Sequence, residues 1–199
     1  AIWVQVDPGR VVNPISGREV RRDLATSWHL LPASTRAGLI RRVVVLGAES
    51  TGSTTLATDL AAHYGTSWVP EYGRAWSEIR PGGLAEPWRA DEFDLIVDRQ
   101  FALERETARR SPTPLLVCDT DVLATALWFE RYLGEPAPHL LDRAEAHRPD
   151  LYLLTGDEIP FVQDGLRDGE HIRHAMQDRF RDVLAAQPVP WLEVCGTPS

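Results

Sequence analysis

Lysine is absent from all 199 residues, so every one of the 21 basic side chains is an arginine. The 29 acidic residues outnumber them, giving a formal net charge of −8 with no basic cluster. That argues against a nucleic-acid surface, because neutralising phosphates takes grouped cations. Cysteine is nearly absent too. Cys118 and Cys195 are the only two, and both lie in apolar, strand-like runs. Two reduced, buried thiols are therefore expected, with neither a disulfide nor a cysteine metal cluster. Apolar runs last only a few residues, and the amino end has no basic region followed by an apolar one. Neither a membrane span nor a secretory signal is expected, and the chain reads as soluble and cytoplasmic. The six histidines show no metal-site pattern.

What remains is an ordinary globular composition, 43% apolar and 25% charged, consistent with one domain and a short appendage. Near residue 40 the texture changes from a Pro- and Arg-punctuated opening to strands alternating with amphipathic helices. A boundary at Ala37–Arg41 separates residues 1–40 from 41–199. Strands are expected at Arg41–Gly47, Thr66–Pro70, Pro114–Asp119, Leu151–Thr155 and Pro190–Val194. Helices are expected over Thr54–Tyr64, Asp91–Arg110 and Val122–Leu133, and around Ile172, Met176, Phe180 and Leu184. This alternation predicts an α/β fold, a doubly wound parallel sheet flanked by helices in three α/β/α layers. Its ligands should bind beyond the carboxyl ends of the strands.

Between the first strand and helix lies Gly47-Ala48-Glu49-Ser50-Thr51-Gly52-Ser53-Thr54, a GxxxxGK(S/T) phosphate loop in every position but one. The glycines let backbone N–H groups curl around phosphate oxygens, and the helix amino end favours anions. Thr54 is placed to reach Mg²⁺, and Glu49, Ser50, Thr51, Gly52, Ser53 and Thr55 complete the expected ATP contacts. Ser53 stands where the lysine would be, so any replacement cation must be an arginine or a second ion.

Asp119 and Asp121 follow the third strand in VCDTDVL, where a carboxylate faces the phosphate loop and can hold Mg²⁺. Asp119 is the expected metal-side residue; Asp121 either shares the site or caps the next helix. Glu71, in VPEYGR, can accept the proton of an attacking hydroxyl or be a solvated loop charge. DGLRDGEHIR (Asp164–Arg173) reads either as a lid presenting Arg167 and Arg173 to phosphate or as a surface turn.

Taken together, VVVLGAESTGSTTLATDLAAHYGTSWVPEYGRAW, VCDTDVLATALW and DGLRD resemble the phosphate loop, EYGR segment, DTD strand end and lid of NadR-type nicotinamide riboside kinases, covering Arg41 to Gly196. The EYGR segment makes the match more specific than a phosphate loop alone. The resemblance implies transfer of the ATP terminal phosphate to the 5′-hydroxyl of nicotinamide riboside. It places Gly196 and Thr197 in the adenine loop, and Glu71, Tyr72, Arg74, Trp88, Gln100 and Asp121 around the nucleoside. Tyr72, Trp76 or Trp88 would stack on the cationic nicotinamide ring. NPISGREVRRD (Asn13–Asp23) is similar to the ISxxxxR motif closing the family's nucleotidyltransferase domain, with Ser16 and Arg21 in its phosphate-contacting positions. An HxGH motif is missing, so residues 1–40 are expected to be a remnant or carboxyl end of that domain, without adenylyltransferase activity.

Overall fold

The computed structural model describes Gly9, Val11, Val12 and residues 14–83 and 85–196. The first elements are short helices, α1 (Gly17–Arg22), α2 (Leu24–Ser27) and α3 (Ala33–Leu39). Strand β1 (Arg41–Leu46) then leads through the phosphate loop into α4 (Ser53–His63), followed by β2 (Ser67–Val69), α5 (Tyr72–Ile79) and the long α6 (Ala90–Arg110). After them come β3 (Leu115–Asp119), α7 (Val122–Leu133), α8 (Pro138–Ala146), β4 (Leu151–Thr155), α9 (Arg173–Ala186) and β5 (Trp191–Val194).

All strand pairs are parallel, in the order β2-β3-β1-β4-β5. The continuous apolar run of β1 follows from burial on both faces. Val44 and Leu46 point into the larger core with Leu116, Cys118, Tyr152 and Leu154, beneath α6, α7 and α9. Val43 and Val45 point the other way, toward Ala57 and Ala61 of α4. Register sets the site: Val45 pairs with Asp119, so the carboxyl end of β3 lies beside the start of the phosphate loop.

One expectation is revised. Cys118 is buried as read, but Cys195 is exposed, because it follows the last residue of the edge strand β5. The end of the segment before residue 40 packs on the main core. Trp28 is 1% exposed and its Nε1 donates to the Ser111 carbonyl at 2.8 Å, while Ala37 and Ile40 pack on the main core. Trp28→Ala should cost about 3–5 kcal/mol of stability, the usual range for emptying a buried aromatic site. Urea unfolding would register it as a lower midpoint with an unchanged slope; an unmoved midpoint would mean the segment contributes no packing. Of the nucleotidyltransferase-like motif, Ser16 caps α1, accepting from the Glu19 N–H at 3.2 Å, and Asn13 lies outside the described residues.

Candidate active site

Side chains fix the phosphate loop into shape. A Cβ at Gly47 would sit 2.4 Å from Thr155 Oγ1 and 2.5 Å from Thr51 Oγ1, so nothing larger than glycine fits. Gly52 is left-handed at φ 84, where an L side chain would be strained. Ser50 shares that region at φ 61, a conformation a serine keeps only when its surroundings impose it. Here they do. Arg173 donates to the Ser50 carbonyl at 2.9 Å and to the Ile159 carbonyl at 2.8 Å. The Val162 N–H reaches Ser50 Oγ at 2.8 Å, and Thr51 Oγ1 donates to the Ala48 carbonyl at 2.8 Å. Arg173, read from the sequence as a phosphate ligand, is instead 6% exposed and absent from the cleft wall; its guanidinium shapes the loop backbone. Glu49 is likewise occupied, accepting from Arg131 at 2.6 Å and from the Gly169 N–H at 2.8 Å, which ties the loop to the connection between β4 and α9.

Beside the loop opens a cleft of about 1050 Å³, the open solvent at its mouth included. Gly47, Glu49, Ser50, Ser53 and Thr54 form its loop side; Glu71, Arg74 and Asp119 line it too, with Arg167 from the connection between β4 and α9. Thr54 Oγ1 donates to Asp119 Oδ2 at 2.6 Å. Burial raises the Asp119 pKa, and the Thr54 and Ser53 hydroxyls pull against that rise. Glu71 is pushed up to about 7, first by burial and then by the charge of Asp119, with Arg74 opposing. Arg74 pairs with Asp164 at 2.6 Å, and the same carboxylate lies 3.5 Å from Arg167. Arg167 also donates to the Val162 carbonyl at 2.6 Å and reaches Ser50 Oγ at 3.4 Å.

The far end of the cleft is aromatic: Trp88, Phe93, Trp128 and Tyr132 line it. Trp88 lies 5.2 Å from Phe93 and 5.1 Å from Tyr132 between ring centroids. Of the three rings expected at the nucleoside, only Trp88 is on the wall. Tyr72 gives its backbone N–H to Gln100 Oε1 at 2.9 Å, and Trp76 turns its Nε1 to Glu92 at 3.0 Å. Gln100 is in the lining, but its exposure is 1%, so it acts chiefly by holding the start of α5. Asp121 takes the capping alternative. Its Oδ1 accepts from the Leu123 and Ala124 N–H groups and its Oδ2 from the Tyr152 hydroxyl at 2.8 Å, away from the cleft. Burial holds its pKa near 6. Trp128 and Tyr132 were missed because their spacing on α7 reads simply as a core face.

On the other side of the loop a second cleft is lined by Thr51, Gly52, Thr55, Ile159, Cys195 and Gly196. The loop thus divides its expected nucleotide contacts between two clefts, and Thr197 falls outside the described residues. Among the described residues, no three His, Cys, Asp or Glu side chains cluster as a metal site, and no helix is long and apolar enough to cross a membrane.

A parallel sheet with a glycine-cornered anion loop after β1 and a carboxylate at the end of the neighbouring β3 defines a nucleotide-binding P-loop domain of the kinase type. The chain belongs to the family described as AAA domain, whose model matches residues 42–198. It is 30% identical over 193 residues to the trifunctional NAD biosynthesis/regulator protein NadR of Escherichia coli, an alignment covering 96% of this chain and 47% of that protein. The chain therefore spans about half the length of this curated relative. A solved NadR protein in complex with NR superposes with a TM-score of 0.73 at 20% identity, covering 92% of this chain and 54% of that one. A second, with NAD and AMP-PNP, gives 0.64 at 19% identity, over 97% and 54%.

Proposed function

We propose that the chain transfers the terminal phosphoryl group of ATP to the 5′-hydroxyl of nicotinamide riboside, giving nicotinamide mononucleotide and ADP. The observation that carries this reading is the placement of Glu71. Its half-buried carboxyl, with a pKa raised to about 7, shares one cleft with the phosphate loop and with the Thr54–Asp119 pair. The attacking hydroxyl gives its proton to Glu71 as its oxygen bonds to the terminal phosphorus, and the bond to the ADP oxygen breaks. Trp88, Phe93 and Tyr132 offer apolar and π surface to a cationic aromatic ring. The names of the relatives, which concern NAD biosynthesis and NR, support the choice of nucleoside.

Mg²⁺ fits the oxygens present. Thr54 and Asp119 supply a hydroxyl and a carboxylate in contact, a short set of protein oxygens that suits an ion which keeps water and phosphate oxygens around it. When bound, it would neutralise charge on the transferring phosphates. Asp119→Asn should accordingly make activity depend on unusually high Mg²⁺, visible as a shifted Mg²⁺ titration at saturating ATP. A titration like that of the wild type would remove Asp119 from the metal.

Chromatography of products from nicotinamide riboside and ATP tests the reading directly, with nicotinamide mononucleotide and ADP expected in equal amounts. Ser53 favours a second reading, a module that binds the nucleotide without turnover, because the loop has lost its lysine. ATP binding without product would decide for it. Product from another nucleoside but none from nicotinamide riboside would keep the kinase and change its substrate.

A further inference from the structure

Arg80 is a buried arginine that the reaction itself does not use. Its side chain is 1% exposed and closes a bidentate pair with Glu92, Nε to Oε1 at 2.9 Å and Nη2 to Oε2 at 2.8 Å. Its remaining N–H groups go to the carbonyls of Gly83 at 3.0 Å, Glu86 at 2.8 Å and Pro87 at 3.0 Å. All five guanidinium donors are thereby engaged, three of them by the loop that carries Trp88 into the cleft. The guanidinium carbon lies 4.1 Å from the centroid of the Trp88 ring. Glu92 extends the hold, accepting from Trp76 Nε1 at 3.0 Å and from the Arg89 N–H at 2.9 Å. One ion pair thus joins the end of α5, the Trp88 loop and the first turn of α6.

We propose that Arg80, paired with Glu92, is the positioning residue that sets Trp88 as the ring-recognising wall of the cleft. This rests on the reading of the aromatic end as the nucleoside subsite. The pair does two things there. It fixes the backbone on both sides of the indole, so that little ring freedom remains to be lost on binding. It also places a cation against the indole while a carboxylate offsets that charge, so the ring can still attract a cationic partner. Lysine cannot substitute, since three donors on a flexible stem cannot meet five acceptors set around a plane.

Calorimetry with nicotinamide riboside and, separately, AMP-PNP tests this on the full chain carrying Arg80→Met, Trp88→Ala or both. Arg80→Met should weaken nicotinamide riboside about tenfold and leave AMP-PNP within about twofold, as expected when an aromatic contact is loosened. In the Trp88→Ala background the same substitution should add less than about twofold, because two residues acting through one contact are not additive. Equal losses in both backgrounds, unchanged nicotinamide riboside affinity, or parallel loss of both ligands would overturn the assignment. Should Arg80→Met fail to fold, Arg80→Lys keeps the charge and stem and carries the same expectations. A wild-type chain that does not bind nicotinamide riboside overturns the nucleoside reading, whereas one that binds it with additive losses overturns this inference alone.

Discussion

Arg167→Ala is expected to lower kcat by about a hundredfold or more, the usual cost of losing a cation that stabilises charge in the transition state. The expectation starts from Ser53, which leaves the phosphate loop one positive charge short where negative charge gathers. No lysine exists to replace it. Of the nearby arginines, Arg173 is committed to the Ser50 and Ile159 carbonyls, Arg131 to Glu49 and Asp168, and Arg74 to Asp164 at 2.6 Å. Arg167 also donates to the Val162 carbonyl at 2.6 Å and lies 3.5 Å from Asp164, but it sits against the loop, within 3.4 Å of Ser50 Oγ, and its planar fork can reach two phosphate oxygens that a short serine cannot. Ser53→Lys should keep or raise wild-type activity and recover part of the Arg167→Ala loss. Wild-type kcat in the Arg167→Ala enzyme would end this assignment, while AMP-PNP affinity should survive in every variant.

Glu71→Gln should lower kcat by roughly 10²–10⁴, the contribution of a positioned general base, and leave AMP-PNP affinity near wild type. Its pH dependence is the sharper test. With the pKa near 7 in the free protein, kcat/KM should rise with pH through that value as the carboxyl ionises, and the rise should vanish in the glutamine variant. The sign for stability is the reverse. The folded-state pKa lies above the ordinary 4.5, so the folded chain binds the extra proton between those values. Stability from this group is present below about 4.5 and lost as pH rises toward 7. A rate profile flat from pH 5 to 9 would show that Glu71 takes no proton.

The three central strands were readable because they are buried on both faces and therefore carry apolar runs, as in Val43–Leu46 and Leu151–Leu154, whereas the edge strands β2 and β5 carry Ser67 and Glu193 within theirs. The loop was readable for a different reason: the two glycines and Thr54 must hold their spacing for backbone geometry to work. Helix α5 was not read as a helix, since Tyr72–Ile79 is short and buries no residue fully. Nor was α8, whose nine residues carry only Leu140 and Ala144 inward. Side-chain destinations were the least legible. Arg167 and Arg173 sit in one lid sequence six residues apart, yet one faces the cleft and the other braces the loop. Asp119 and Asp121 are separated by Thr120, whose φ of 69 turns the chain so that the two carboxylates go to the cleft and to the core. Arg80 gave no signal at all, because its partners are three loop carbonyls, of Gly83, Glu86 and Pro87, and the Glu92 carboxylate in the first turn of α6, a set with no periodic spacing.

The bracing of the phosphate loop has a thermodynamic consequence. Fixing a residue's backbone costs about 1–2 kcal/mol of conformational entropy, and here that ordering is completed at folding by Arg173, Thr51 and Thr155. An arriving triphosphate would meet a loop backbone that is already ordered. The freedom given up on association should then lie mainly with the ligand, so temperature should affect nucleotide affinity through released water and very little through the loop.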